Sequence, residues 1–200
     1  MHRHTLISSI TDFLFPRPLF LIDLHTLITG SYCYQSKTLS LMNYKDPCVR
    51  TLIRYLKKNN DSQLAGKIAM KIKMNISQEH IVRPVLVIPV PVSEATYRHR
   101  GFNQVQKLGR HLAECISGIC IPRSTIQKRA TLKQSSLSRS QRKDNIKKAF
   151  CVKDTTFSFQ LFSTIILLDD VVTTGSTLDE LQDCLDLPDT TNIIRVSIAH

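Results

Sequence analysis

The chain has 200 residues, 42% of them hydrophobic, with a formal net charge of +11. This suits one α/β domain with a full core and a small N-terminal addition. The charge is concentrated in residues 98–148, where 13 Lys and Arg face two acids, Glu114 and Asp144, so that the rest of the chain sums to zero. A basic middle of this kind points to a polyanionic partner.

In chain order, residues 6–27 are apolar in patches, as a signal peptide would be. Pro16 and Pro18 interrupt the run, Asp12, Arg17 and Asp23 punctuate it, and no small-residue cleavage site stands out. No run reaches the length a membrane span needs, so the expectation is a cytoplasmic protein without one. The six cysteines, Cys33, Cys48, Cys115, Cys120, Cys151 and Cys184, form no Cys-x-x-Cys pair. Zinc ribbons build tetrahedral sulfur ligation from two such pairs, so no structural zinc is expected; packed free thiols in a reducing compartment are.

From Cys48 to Met74 the periodicity is helical. Val49, Leu52, Ile53 and Leu56 recur on one face, with Arg50, Arg54, Lys57 and Lys58 facing elsewhere as solvated charges. Asn59-Asn60-Asp61 breaks the pattern and caps a second helix bearing Leu64, Ala65, Ile68, Ala69 and Ile72. Residues 85–90 (Val-Leu-Val-Ile-Pro-Val) read as a strand, and Pro89 and Pro91 stop its pairing because proline has no N–H to donate. Asn103 then caps a helix carrying Val105, Leu108, Leu112 and Ile116, with Gly118 positioned to end it. Arg98, His99 and Arg100 therefore fall between a strand's carboxyl end and a helix start, the crevice where open α/β sheets bind ligands. Guanidinium groups there suit a pyrophosphate; the alternative is a basic surface loop.

Residues 123–150 are polar, basic and rich in Ser and Gln, with no sustained apolar period. They read as an excursion from the sheet, either a lid or a solvated linker. Residues 151–160 have room for a hairpin or loop, and residues 192–198 (Asn-Ile-Ile-Arg-Val-Ser-Ile) read as a last core strand.

The most informative stretch is residues 165–177, Ile-Ile-Leu-Leu-Asp-Asp-Val-Val-Thr-Thr-Gly-Ser-Thr. A buried parallel strand ends in an acid pair, and then come a hydroxyl loop around Gly175 and a helix opening near Leu178. The glycine lets backbone N–H groups approach an anion, and the helix start adds unpaired donors. Thr173, Thr174, Gly175, Ser176 and Thr177 thus suit a phosphate. Asp169 and Asp170 would repel one; they suit sugar hydroxyls or a hydroxyl-bound magnesium ion. A strand–turn–helix with capping Ser and Thr uses the same residue types without any ligand. The stretch lacks the Gly-Lys-Ser/Thr of the Walker loop and the three glycines of the dinucleotide fingerprint.

Residues 165–177 resemble the 5-phosphoribosyl 1-pyrophosphate (PRPP) loop of type I phosphoribosyltransferases. Together with Leu52-Ile53-Arg54-Tyr55-Leu56-Lys57, Arg98-His99-Arg100-Gly101-Phe102-Asn103-Gln104, Arg129-Ala130-Thr131 and Arg142-Lys143, they resemble the ComF/GntX family from about residue 44 to the C-terminus. The resemblance implies a twisted, mainly parallel α/β sheet with helices on both faces over residues 44–200. It makes residues 1–43 a degenerate remnant of the zinc-ribbon region, led by Asp12-Phe13-Leu14-Phe15-Pro16. By the same match Asp169 and Asp170 are the catalytic acids, holding the ribose hydroxyls and, through PRPP, magnesium. The 5-phosphate falls to Thr173–Thr177, the pyrophosphate to Arg98 and Arg100, and lid or nucleic-acid contacts to Arg129, Lys133, Arg139, Arg142 and Lys143. The implied activity is pentosyl transfer from PRPP, linked to DNA uptake in natural competence. A non-catalytic single-stranded DNA-binding or PRPP-sensing accessory protein is the other reading. PRPP needs only a few of the 13 central cations, leaving room for single-stranded DNA, and DNA-uptake proteins are expected partners.

Overall fold

The computed structural model of the chain describes residues 31–33, 37–77, 80–129 and 149–200. Its strands are β1 Ser31–Cys33, β2 Thr38–Met42, β3 Val85–Pro89, β4 Ile119–Cys120, β5 Ile126–Lys128, β6 Phe150–Val152, β7 Thr164–Val171 and β8 Asn192–Ala199. Its helices are α1 Pro47–Lys58, α2 Ser62–Asn75, α3 Glu94–Arg100, α4 Gln104–Ile116 and α5 Ser176–Asp183. Six strands form one sheet in the order β1-β2-β8-β7-β3-β4, with β5 and β6 paired apart from it. All neighbours in the large sheet run parallel except β1 against β2. The sheet draws in Ser31–Cys33 and Thr38–Met42, ahead of the division at residues 43 and 44 read from the sequence.

The central strands β3 and β7 are apolar because helices cover both of their faces, as parallel sheets require. Ile166 and Leu168 join Leu52, Ile68, Leu108 and Leu112 in one cluster. Ile165 and Leu167 join Leu178, Leu181, Phe150 and Phe159 in the other. Each side chain of this size contributes about 1.5–3 kcal/mol on burial, so alternate residues of a single strand tie two layers together.

The helical pair begins and breaks as its polar residues dictate. Asp46 accepts from Cys48 N ahead of Pro47, and Asp61 accepts from Leu64 N to start the second helix. Each such cap is worth about 1 kcal/mol. Asn103 likewise accepts from Val105 N at the start of α4. The end of α4 differs from expectation: Ser117, not Gly118, takes the left-handed conformation, with φ 53°. Gly118 is needed for another reason, since a Cβ there would sit 3.0 Å from the Val85 carbonyl oxygen of β3. Any side chain there would have to push the strand carbonyl back by a few tenths of an ångström for the helix to close as it does.

Residues 151–160 supply one arm of a ladder rather than a local hairpin. Phe150–Val152 pairs antiparallel with Ile126–Lys128, in the register Ile126 with Val152 and Lys128 with Phe150. This ladder closes the base of the excursion read as a lid, of which Lys133, Arg139, Arg142 and Lys143 lie outside the described residues. Among the described residues no helix is long and apolar enough to cross a membrane.

Candidate functional site

The carboxyl ends of β3 and β7 lie side by side, with Pro89 opposite Leu168. β3 stops there, and Val90 N donates back to the Leu168 carbonyl at 2.8 Å. β7 continues for three residues, so Asp169 and Asp170 belong to the strand itself and project over its end. Beyond the strand ends opens a cleft of about 880 Å³ lined by Lys57, Arg98, Arg100, Lys128, Arg129, Asp169, Asp170 and Thr177, with residues 90–96 as its rim.

Next to the cleft, in a smaller hollow that shares Asp169 and Thr177 with it, is the loop of residues 172–175. Gly175 has φ 88°, the left-handed geometry that glycine adopts without strain. Its carbonyl accepts from Leu178 N and Asp179 N at 2.9 and 3.0 Å, which winds the first turn of α5. Among the described residues the amides of Thr173, Thr174 and Gly175 donate to no protein group, leaving donors of the kind an anion takes up. Thr173, Thr174, Gly175, Ser176 and Thr177 line a concavity of about 30 Å³ that also touches Asp169. The five residues expected to hold a phosphate are thus brought together. Arg195 holds α5 in place from β8, reaching Asp179 Oδ1 at 2.6 Å and Gln182 Oε1 at 2.7 Å.

The acid pair forms the middle. Asp170 is buried, and its Oδ2 accepts from Gln104 Nε2 at 2.6 Å and faces Lys57 Nζ at 3.1 Å. Asp169 Oδ1 accepts from Asp170 N at 2.8 Å. Burial, and then the neighbouring Asp170 charge, push the Asp169 carboxyl up to about 7. Lys57 offsets the Asp170 charge, while among the described residues Asp169 has no ion pair; the free carboxylate oxygens are of the kind that accept from hydroxyls or take a hard cation.

The far end is cationic. Arg98 and Arg100, expected in a loop between strand and helix, are carried on the last turn of a short helix, α3, that fills that interval. Ser93 caps this helix by accepting from Thr96 N, and Gly101 ends it at φ 78°. The acid on the rim, Glu94, is neutralised by Arg123 Nη2 at 2.6 Å, and that guanidinium stacks 3.5 Å from the Tyr97 ring centroid. Arg129 lines the cleft from the ladder end, its N–H bonded to the Ala149 carbonyl at 2.8 Å.

Lys57, Gln104 and Lys128 also reach the site, and the sequence pattern assigns a role there to none of them. Lys57 reads in sequence as a solvated charge; it sits one position past Leu56 in the last turn of α1 and meets Asp170. Gln104 is the first residue of α4, so the Asn103 cap aims it at β7 across 66 residues of chain. Its signal is the Arg-Gly-Phe-Asn-Gln block, whose last member no cap requires. Lys128 stands beside Arg129 at the end of β5.

A mostly parallel sheet between helical layers, with such a loop at the strand carboxyl ends, is the type I phosphoribosyltransferase-like α/β class. No family model matches the chain. Competence protein F of Haemophilus influenzae is 30% identical over 155 residues, which are 74% of this chain and 66% of that protein. DNA utilization protein YhgH of Salmonella typhimurium is 29% identical over 153 residues, 74% of this chain and 65% of that one. Competence protein ComFC of Bacillus subtilis is 25% identical over 146 residues, 73% and 56%. The chain belongs to the ComF family. It spans at most 66% of the length of these relatives.

Proposed function

We propose that the cleft binds PRPP together with magnesium, and that the protein is a phosphoribosyltransferase-like component of DNA uptake acting in the cytoplasm. The observation that carries this reading is the order of chemistries across two adjoining hollows that share Asp169 and Thr177: the unpartnered amides of residues 173–175 with hydroxyls beside them, then an acid pair, then guanidinium groups. A ribose bearing a 5-phosphate and a 1-pyrophosphate has the matching order of phosphate, diol and pyrophosphate.

In this reading the amides of residues 173–175, with the hydroxyls of Thr173, Thr174, Ser176 and Thr177, hold the 5-phosphate. Asp169 and Asp170 accept from the ribose hydroxyls and stabilise positive charge developing on the ring. Arg98 and Arg100 receive the pyrophosphate and stabilise it as it departs. Magnesium, when bound, neutralises charge on that leaving group. An acceptor nucleophile forms the new bond at C1 as the C1–O bond breaks, and pyrophosphate leaves with the electron pair. Positioning and electrostatic stabilisation supply the rate, and no side-chain nucleophile takes part. Single-stranded DNA and DNA-uptake proteins are the partners we propose alongside. The names of the relatives, two of them competence proteins and one a DNA utilization protein, support that context.

Calorimetric titration with PRPP and magnesium, beside ribose 5-phosphate, tests the reading. The expected result is magnesium-dependent binding of PRPP that is tighter than that of ribose 5-phosphate, with pyrophosphate release in a subsequent screen of bases and amines. Absence of heat with either ligand overturns it.

A further inference from the structure

Beside the cleft lies a second groove, of about 450 Å³, lined by Arg54, Lys57, Lys58, His99, Arg100 and Phe102. Its lining holds four permanent cations, a histidine and an aromatic ring, and no acid. Two lysines in the last turn of α1 would be accounted for by the helix dipole. The dipole does not account for Arg54, one turn earlier, or for His99 and Arg100, which come from another helix. Among the described residues Lys57 is the only one of these cations with an ion pair, the one to Asp170 at 3.1 Å. Like charges of which only one has a counter-ion raise the local positive potential, and that potential favours a polyanion. Phe102 is part-exposed among them, a flat apolar face between cations. Alternating cations and ring complement a single strand, which presents phosphates in series and bases whose faces are open for stacking. A duplex hides those faces.

Lys57 and Arg100 line both this groove and the main cleft. We propose that the groove binds single-stranded nucleic acid, and that the two shared cations make strand binding and PRPP binding weaken one another. The second half rests on the PRPP reading of the cleft. Arg100 cannot serve a pyrophosphate and a strand phosphate equally at once, and two polyanions in adjoining pockets repel. By linkage, the factor by which PRPP weakens the strand is the factor by which the strand weakens PRPP.

The test is anisotropy of a labelled 20-residue oligothymidylate on the full chain, with and without PRPP and magnesium, beside calorimetry of PRPP alone. Saturating PRPP is expected to lower strand affinity at least fivefold, beyond what magnesium alone does through screening. The double variant Arg54→Glu, Lys58→Glu alters the groove at two positions that do not line the main cleft. It is expected to lose at least fivefold in strand affinity, with PRPP affinity and the thermal midpoint unchanged. Unchanged strand affinity in that variant overturns the groove. Equal affinity for a duplex or for polyglutamate overturns the single-strand assignment. Strand affinity indifferent to bound PRPP overturns the coupling. Failure of PRPP to bind the unaltered protein overturns the reading of the cleft, and with it the coupling, and leaves the groove to be judged on the oligonucleotide alone.

Discussion

Asp170 and Asp169 are adjacent on β7, yet the fold treats them in opposite ways. Asp170 is held by the helices of one layer, with Lys57 of α1 and Gln104 of α4 both on its Oδ2. Asp169 borders the hydroxyl–glycine loop, and among the described residues no ion pair engages it. The charge of the first is met within the fold through Oδ2, and the ionised form of the second is strained by burial and by its neighbour's charge. The difference teaches that adjacency on a strand does not equalise two carboxyls: one is met by a lysine and an amide, and the other, left to burial and its neighbour's charge, resists ionising.

Replacing Asp169 should alter the protein more than any other single change in the site. The Asp169 carboxyl stands at about 7 in the fold against 3.8 for an ordinary aspartate, raised first by burial and then by Asp170. A carboxyl raised by folding binds its proton more tightly in the native state, so its contribution to stability is greatest at low pH. That contribution is lost as pH rises from 3.8 to about 7. At roughly 1.4 kcal/mol per unit the ceiling is on the order of 4 kcal/mol. Asp169→Asn keeps an acceptor for the Asp170 amide and removes the charge. The variant is expected to be more stable than the parent above pH 7, to show a flatter stability profile between pH 4 and 8 in urea unfolding, and to bind PRPP less tightly. Parallel pH profiles for the two proteins would refute the assignment of strain to Asp169.

The helical layer behind Asp170 is expected to be intolerant of added volume. A Cβ on Gly109 of α4 would meet Pro89 Cγ at 2.5 Å and Cys120 Sγ at 3.3 Å. A proline ring can yield only by changing its pucker, too little to clear a 2.5 Å contact, so Gly109→Ala pushes α4 away from the end of β3. Overpacking of this kind costs about 1–3 kcal/mol. It also shifts the turn carrying the rim of the cleft, so PRPP affinity should fall together with the thermal midpoint. A midpoint equal to that of the parent would mean that the helix and strand separate freely at this point.

Asp170→Asn reverses the sign of the Asp169 substitution. It removes the counter-ion of Lys57 and weakens the acceptor facing Gln104 Nε2, whose own Oε1 is already buried without a partner. The side chain of Lys57 is 34% exposed, so water recovers part of the loss. A destabilisation of about 1 kcal/mol is expected. A double-mutant cycle with Lys57→Met isolates the pair, and zero coupling would show that Gln104 alone holds Asp170.

This asymmetry is only partly legible in the sequence. The strand, the acid pair and the hydroxyl–glycine loop are contiguous, so residues 165–177 reveal both the layer and the candidate ligand. The caps Asp61 and Asn103 are legible for the same reason, because each acts on an amide two or three residues away. Lys57 and Gln104 are not, since their contacts with Asp170 cross 113 and 66 residues and depend on how α1 and α4 pack on the sheet. A lysine one step past an apolar stripe looks the same in sequence whether it meets water or a buried carboxylate. Gly118 misleads because glycine serves both as a helix terminator and as a point of close approach, and only the neighbouring strand distinguishes them.

The smallest effect sharpens the contrast between the two ends of the cleft. Asp179 is 56% exposed, and its bond to Arg195 is therefore worth at most about 1 kcal/mol. Arg195 keeps a second hold on α5 through Gln182, so Asp179→Ala should loosen the helix without releasing it. The first turn of α5 continues directly from the loop whose amides lack protein acceptors, and any rocking of that helix moves those donors. The variant is therefore expected to weaken ribose 5-phosphate and PRPP by the same factor, a few-fold at most, because both present the same 5-phosphate. Arg100→Ala, at the opposite end, should weaken PRPP and leave ribose 5-phosphate unchanged. Calorimetry of both ligands on both variants separates the ends: if Asp179→Ala discriminated between the ligands, the hydroxyl–glycine loop could not be reading the group they share.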